Sequence, residues 1–188
     1  EFVTISYKDL GFEEMDTVAE LIPGMTAANP SAPSMPCSYC GVFRRQGINH
    51  LAKKVNADVM ALGHNLDDMA QTVLMNMSNG DLERTLRLAP HTNTPIDGLP
   101  PRIVPLRWIP EQEVHLYAVH KNLPIHHEEC PHARGALRWR HREMVAMMEA
   151  DVPGTRHGLV RMADNVKDLR NQIVELGGHE SRPSPPQE

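Results

Sequence analysis

Cysteine is scarce in this chain, with three among 188 residues. An odd, sparse set cannot build the paired framework of a small secreted scaffold, so the expectation is a cytoplasmic protein with reduced thiols. Aromatic residues are few, at 4%. With hydrophobic residues at 40%, aliphatics and the 11 methionines must fill the core. No apolar run approaches the roughly 20 residues of a membrane-spanning helix, nor does the N-terminal stretch read as a secretory signal. A surplus of positive charge is also missing: the formal net charge is −5. That excludes a generally basic nucleic-acid coat and leaves contact with a polyanion to a local patch. The length suits one domain of ordinary size, or one and a half.

The pattern of what is present points to an α/β chain. "FVTISY" alternates apolar and polar residues and is β-branched, which predicts a strand over 2–7. "MDTVAELI" predicts a short helix ending at Pro23 and Gly24, followed by a loop rich in small residues and proline that leads to Cys37. Val42, Ile48, Leu51, Ala52 and Val55 recur at near-helical spacing, so an amphipathic helix is expected just after Cys40. "DVMALGH" reads as a short buried parallel strand. The helix after it has Asn65 as candidate N-cap, Asp67 and Asp68 in its first turn, and an apolar stripe of Met69, Val73, Leu74 and Met77. "RIVPLRWI" predicts a second strand over 102–109, and three further helices follow, with the irregular "LPIHHEECPH" between the first and second. Strand and helix alternation gives an α/β sheet part over 1–108 and a mainly helical part over 109–176. The Pro-rich polar stretch 177–188 is expected to be a disordered tail.

Function is expected at the strand end around Gly63. In open α/β sheets ligands bind beyond the carboxyl ends of parallel strands, and the N-terminus of the next helix offers backbone N–H groups to a phosphate or carbonyl. Cys37 and Cys40 stand at C-x-x-C spacing, which lets two sulfurs chelate one metal or cluster, with Cys130 as a third thiol. Zinc would need a fourth ligand, for which His64, His126, His127 and His132 are candidates. Three thiolates on a 4Fe-4S cluster would leave one iron open to act as a Lewis acid or to hold sulfur. Spacing alone leaves zinc and iron–sulfur both open. Asp67 and Asp68 are what the helix dipole favours in a first turn, and one of them is also a candidate for positioning a nucleotide, a metal or an attacking group. Arg44 and Arg45, being adjacent, cannot share a helix face, so one is a candidate anion clamp. Arg134, Arg138 and Arg142 recur every four residues soon after Cys130, a basic stripe suited to an RNA backbone.

"PCSYCGVFRRQGINHLAKK" followed by "ADVMALGHNLDDMAQTVLMN", and then "PLRWIPEQEVHLYAVHKNLP" and "EECPHA" in order, resembles the tRNA 2-thiolation enzymes of the TtuA type. The resemblance covers roughly residues 2–176 and rests on the motifs together. It implies a partial Rossmann-like fold, that of the PP-loop ATP pyrophosphatases, and an ATP-dependent tRNA uridine 2-sulfurtransferase. Such enzymes adenylate the uridine C2 oxygen, using ATP with magnesium, and sulfur then displaces AMP. The resemblance assigns Cys37, Cys40 and Cys130 to an oxygen-sensitive 4Fe-4S cluster, with zinc a substitute after isolation in air. It assigns Gly63 to the ATP site, Asp68 to the catalytic carboxylate and Arg44 to the family's basic residue after the C-x-x-C. Its partners would be tRNA and either a ubiquitin-like sulfur-carrier protein or sulfide, with a homodimer and no membrane. The S-G-G-x-D-S phosphate cradle and the terminal zinc modules of the family are not found, so a truncated chain is expected. The rival readings are a non-catalytic metal-binding module for tRNA and a PP-loop ligase acting on a small molecule.

Overall fold

The computed structural model describes residues 2–88, 98–126, 130–133 and 137–177. Among these residues, seven helices and two short strands run in the order α1 (Met15–Ala28), α2 (Pro36–Lys54), β1 (Met60–Ala61), α3 (Leu66–Ser78), α4 (Leu82–Leu86), β2 (Arg102–Ile103), α5 (Glu111–His120), α6 (Leu137–Asp151) and α7 (Thr155–Glu175). Single 3-10 turns precede α1 at Lys8–Leu10 and follow Cys130 at Pro131–Ala133. The two strands pair in parallel, Met60 with Arg102 and Ala61 with Ile103. The chain is therefore α/β, as its sequence reads, but far richer in helix than in sheet.

Three local expectations change. Residues 2–6 form no regular strand, because among the described residues no strand edge lies beside them. The second strand stops after Ile103. Pro105 cannot donate to a ladder, and the next residues close turns instead, with Arg107 N–H on Val104 O and Ile109 N–H on Leu106 O. Helix α1 runs through Pro23 to Ala28 instead of ending there, and the Thr26 hydroxyl bonds back to the carbonyls of Ile22 and Pro23. Arg134, the 177–188 tail beyond Gly177, and His127 lie outside the described residues.

Helix α3 is the centre of the packing. Its inner face supplies Leu66, Met69 and Ala70 to one buried cluster with Val145 of α6 and Val160 of α7. Full burial of such side chains contributes about 1.5–3 kcal/mol each. The α6–α7 corner is fixed by Glu149, whose carboxylate accepts the N–H groups of Gly154 and Arg156 at 2.9 and 2.8 Å. A second packing centre joins α1 and α2 to the N-terminal segment. Phe12 stacks on Phe43 with centroids 4.3 Å apart, and Tyr7 meets Phe43 edge-on at 5.5 Å. Three of the few aromatics are thus gathered against the helix that carries the C-x-x-C.

Candidate functional site

Pro36 occupies the first turn of α2, where its missing N–H costs nothing. Cys37 and Cys40 therefore lie inside the helix, one turn apart, and not in a loop before it. The 3-10 turn after Cys130 docks against this turn. The Cys37 thiol donates to the His132 carbonyl at 3.7 Å, and the His132 ring is held by Asp16 of α1 at 2.8 Å. All three cysteines are free thiols. Burial pushes the Cys37 thiol up, and the neighbouring Cys130 and Cys40 thiols push it further, so the three thiols are electrostatic neighbours. Among the described residues no three donors are gathered tightly enough to hold a single metal ion. A single zinc would need its sulfurs within about 4 Å of one another, given Zn–S bonds of about 2.3 Å. A four-iron cube takes one thiolate per iron. The donor set fits that group: soft ligands on two chain arms, with Cys37 and Cys130 exposed.

The Cys40 sulfur meets the Tyr7 hydroxyl at 3.6 Å. Burial raises the Tyr7 phenol, and the bond to Cys40 raises it further. No sequence pattern marked Tyr7; its place follows from the Phe12–Phe43 stack that holds the N-terminal segment.

The strand-end part of the site begins at Gly63, where an added Cβ would meet nothing within 4 Å. The open face leaves the backbone approachable. Two N–H groups at the start of α3 are already used, however: Leu66 donates to the Ile109 carbonyl at 3.0 Å and Asp68 to the Asn65 side chain at 3.0 Å. Asn65 and Asp68 form a reciprocal capping box, in which the Asp68 carboxylate accepts the Asn65 N–H at 3.2 Å. Its other oxygen accepts from Arg138 of α6, also at 3.2 Å. Asp67 turns the other way. It is buried, accepts the Glu111 N–H at 2.7 Å and pairs with Arg156 at 3.2 Å. An open groove of about 630 Å³ lies on that side, bounded by Asn65, Glu111, His115 and Arg142.

His64 is half-buried between the two parts of the site. Burial pulls its pKa down; the Asp68 charge opposes this, while the Arg44 and Arg138 charges add to it. Arg44 also bears on Tyr7, so this one guanidinium faces both the thiol side and the carboxylate side. Arg45 instead lies back along α2 toward Gly41. In the basic stripe, Arg138 holds Asp68 and Thr72, and Arg142 holds Glu111 at 3.2 Å with its guanidinium near the Trp139 ring. Both described members of the stripe are thus already paired with carboxylates. Thr72 is a further residue that sequence reasoning passed over, although its place one turn after Asp68 could have marked it.

No family model matches the chain. The helix-rich α/β fold and its parallel pair are those of the PP-loop class. The solved U34-tRNA thiolase NcsA from Methanococcus maripaludis, determined with its 4Fe-4S cluster, superposes with a TM-score of 0.63 over 71% of this chain and 44% of its own, at 34% identity. Within that class the chain is a relative of the tRNA 2-thiolation proteins. It is 38% identical to tRNA 2-thiolation protein NcsA of Haloferax volcanii over 88% of this chain and 51% of the relative. It is 37% identical to cytoplasmic tRNA 2-thiolation protein 1 of Chlamydomonas reinhardtii over 96% of this chain and 46% of the relative. The chain spans about half the length of the curated relatives it matches. No helix among the described residues is long and apolar enough to cross a membrane.

Proposed function

We propose that this chain is part of an ATP-dependent tRNA uridine 2-sulfurtransferase, with Cys37, Cys40 and Cys130 as the ligands of a 4Fe-4S cluster. The observation that carries the reading is the meeting of two chain arms: the turn after Cys130 seated on the C-x-x-C helix, with Cys37 bonded to the His132 carbonyl at 3.7 Å. The names of the relatives support the same chemistry. The uridine C2 carbonyl is a weak electrophile. Adenylation of its oxygen, with ATP losing pyrophosphate, turns that oxygen into part of a good leaving group. Sulfur from a carrier protein or sulfide then forms the C–S bond as AMP departs. When bound, a cluster with three protein ligands supplies an open iron for a sulfur donor.

The chain's own residues divide the remaining work. The open backbone at Gly63 admits the nucleotide, with magnesium as its counter-ion. Arg44, exposed and bearing on both halves of the site, balances phosphate charge as the adenylate forms and breaks. Asp68, fixed on both oxygens, orients the reacting groups at the strand end. Anaerobic purification with iron and sulfide analysis tests the cluster. Mass spectrometry of nucleosides from tRNA incubated with ATP and sulfide tests the transfer. The expected result is about four irons and four sulfides per chain, with 2-thiouridine formed only when ATP is present. A protein that binds iron and tRNA but transfers no sulfur would be a binding module instead.

A further inference from the structure

We propose that Arg138 is a positioning residue for Asp68, and through Asp68 the tie that holds the helix following Cys130 in register with the strand-end carboxylate. The inference rests on the thiolation reading above. Three bonds close a ring and a fourth holds the carboxylate from outside it. Arg138 donates from one terminal nitrogen to Asp68 Oδ1 and from the other to Thr72 Oγ1, each at 3.2 Å. The Thr72 hydroxyl donates to the Asp68 carbonyl at 2.7 Å, and the Asn65 N–H holds Asp68 Oδ2 at 3.2 Å. The carboxylate is thus held at both oxygens, one by its own helix and one by α6.

Magnitude indicates what this ring is for. Arg138 and Asp68 have side chains 47% and 34% exposed. An exposed pair of that kind contributes little to stability. Its value lies in geometry, because a planar guanidinium reaches two acceptors on successive turns of α3 at once, which a point-like ammonium cannot do. Arg138 is also one of the charges acting on half-buried His64, together with Asp68 and Arg44. The four side chains form one cluster at the strand end, and Arg138 is its member from the Cys130 side of the chain. An RNA phosphate at Arg138 would share a guanidinium whose two terminal nitrogens are each already bonded within the protein.

The test separates a fork from a charge. In the protein carrying this chain, with its cluster in place, Arg138→Lys and Arg138→Gln are compared with wild type for single-turnover thiolation and for tRNA binding over a range of salt. Both variants are expected to lower the rate at saturating tRNA by about tenfold or more, the scale of a misplaced catalytic group. The tRNA dissociation constant and its salt slope are expected to stay near wild type. Thr72→Val, which removes only the second anchor, should lower the rate by a smaller factor. A full rate in Arg138→Lys overturns the proposal, since charge alone would then suffice. So does weakened tRNA binding in Arg138→Gln with an unchanged saturated rate, which makes Arg138 an RNA contact. If the wild type transfers no sulfur, the thiolation reading fails on its own. The Arg138 link is then read from the Asp68 side-chain carboxyl carbon resonance, assigned by its loss in Asp68→Asn. It is expected to move in Arg138→Lys, and a resonance that stays in place overturns the link.

Discussion

Asp67 and Asp68 are neighbours in the first turn of α3 and serve opposite sides of it. Asp67 is buried and holds the start of α5 through the Glu111 N–H and α7 through Arg156. Asp68 turns to the strand end and Arg138. The adjacent acidic pair is thus divided between a buried anchor and a carboxylate facing the strand end, the one proposed as a site residue.

The two substitutions should therefore separate stability from activity. Asp67→Ala leaves Arg156 without its carboxylate and the Glu111 N–H without its acceptor, and is expected to cost roughly 3 kcal/mol, the scale for breaking a buried pair. Asp68→Ala removes a capping-box member and should cost only about 1 kcal/mol. Under the proposed function it nonetheless abolishes thiolation. Urea unfolding and a thiolation assay on both variants check this, and equal stability losses would count against the division of roles.

Tyr7 offers a test on the thiol side. Under the proposed function Cys40 is bound as a thiolate, and the hydroxyl 3.6 Å away can then only donate. Hydrogen bonds to cluster sulfurs are one of the controls on reduction potential, and a donor favours the more negative, reduced state. Tyr7→Phe is expected to retain iron and sulfide at wild-type levels while the midpoint potential moves lower. A redox titration followed by electron paramagnetic resonance reads both. An unchanged potential would make Tyr7 a packing residue of the Phe43 cluster.

The parts of this architecture set by local chemistry were legible in the sequence. Asn65 and Asp68 spell a helix start three residues apart, and the structure has the capping box there. The apolar run ending at Gly63 reads as a parallel strand, and Met60–Ala61 is one. What depends on partners distant in sequence was not legible. The 2–7 alternation fits a strand, but a strand exists only beside another edge. The inward turn of Asp67 depends on Arg156, and that of Arg138 on Thr72, which no local pattern announces. The arginine stripe had the right helical spacing, yet periodicity carries no information on whether a neighbouring helix brings carboxylates to meet it.

His64 should make stability depend on pH in a particular sense. Burial holds its folded pKa below the ordinary value of 6.5. The unfolded chain then binds the proton more readily, so the contribution is fully present above about pH 6.5 and is lost as pH falls through the folded pKa. His64→Asn removes that dependence. The difference in unfolding midpoint between wild type and variant is expected to move against wild type as pH drops from 7 to 5. A difference that stays constant over this range would place His64 in an environment as wet as that of a free histidine.

Arg142 is the stripe member whose side chain is most available to RNA among those described, being 54% exposed and paired with Glu111, itself 47% exposed. A surface pair of this kind is weak, so a phosphate can displace the carboxylate. If α6 borders the bound tRNA, Arg142→Gln removes one phosphate contact. The slope of log affinity against log salt should then fall by about 0.7–0.9, the value for one released counterion. Glu111→Gln acts in the opposite direction. It takes a negative charge from the RNA side and frees the guanidinium, so tRNA should bind more tightly at low salt, with the gain fading as salt rises. Equilibrium binding at several salt concentrations measures both variants. Wild-type affinity and slope in each would remove this face of α6 from the RNA surface.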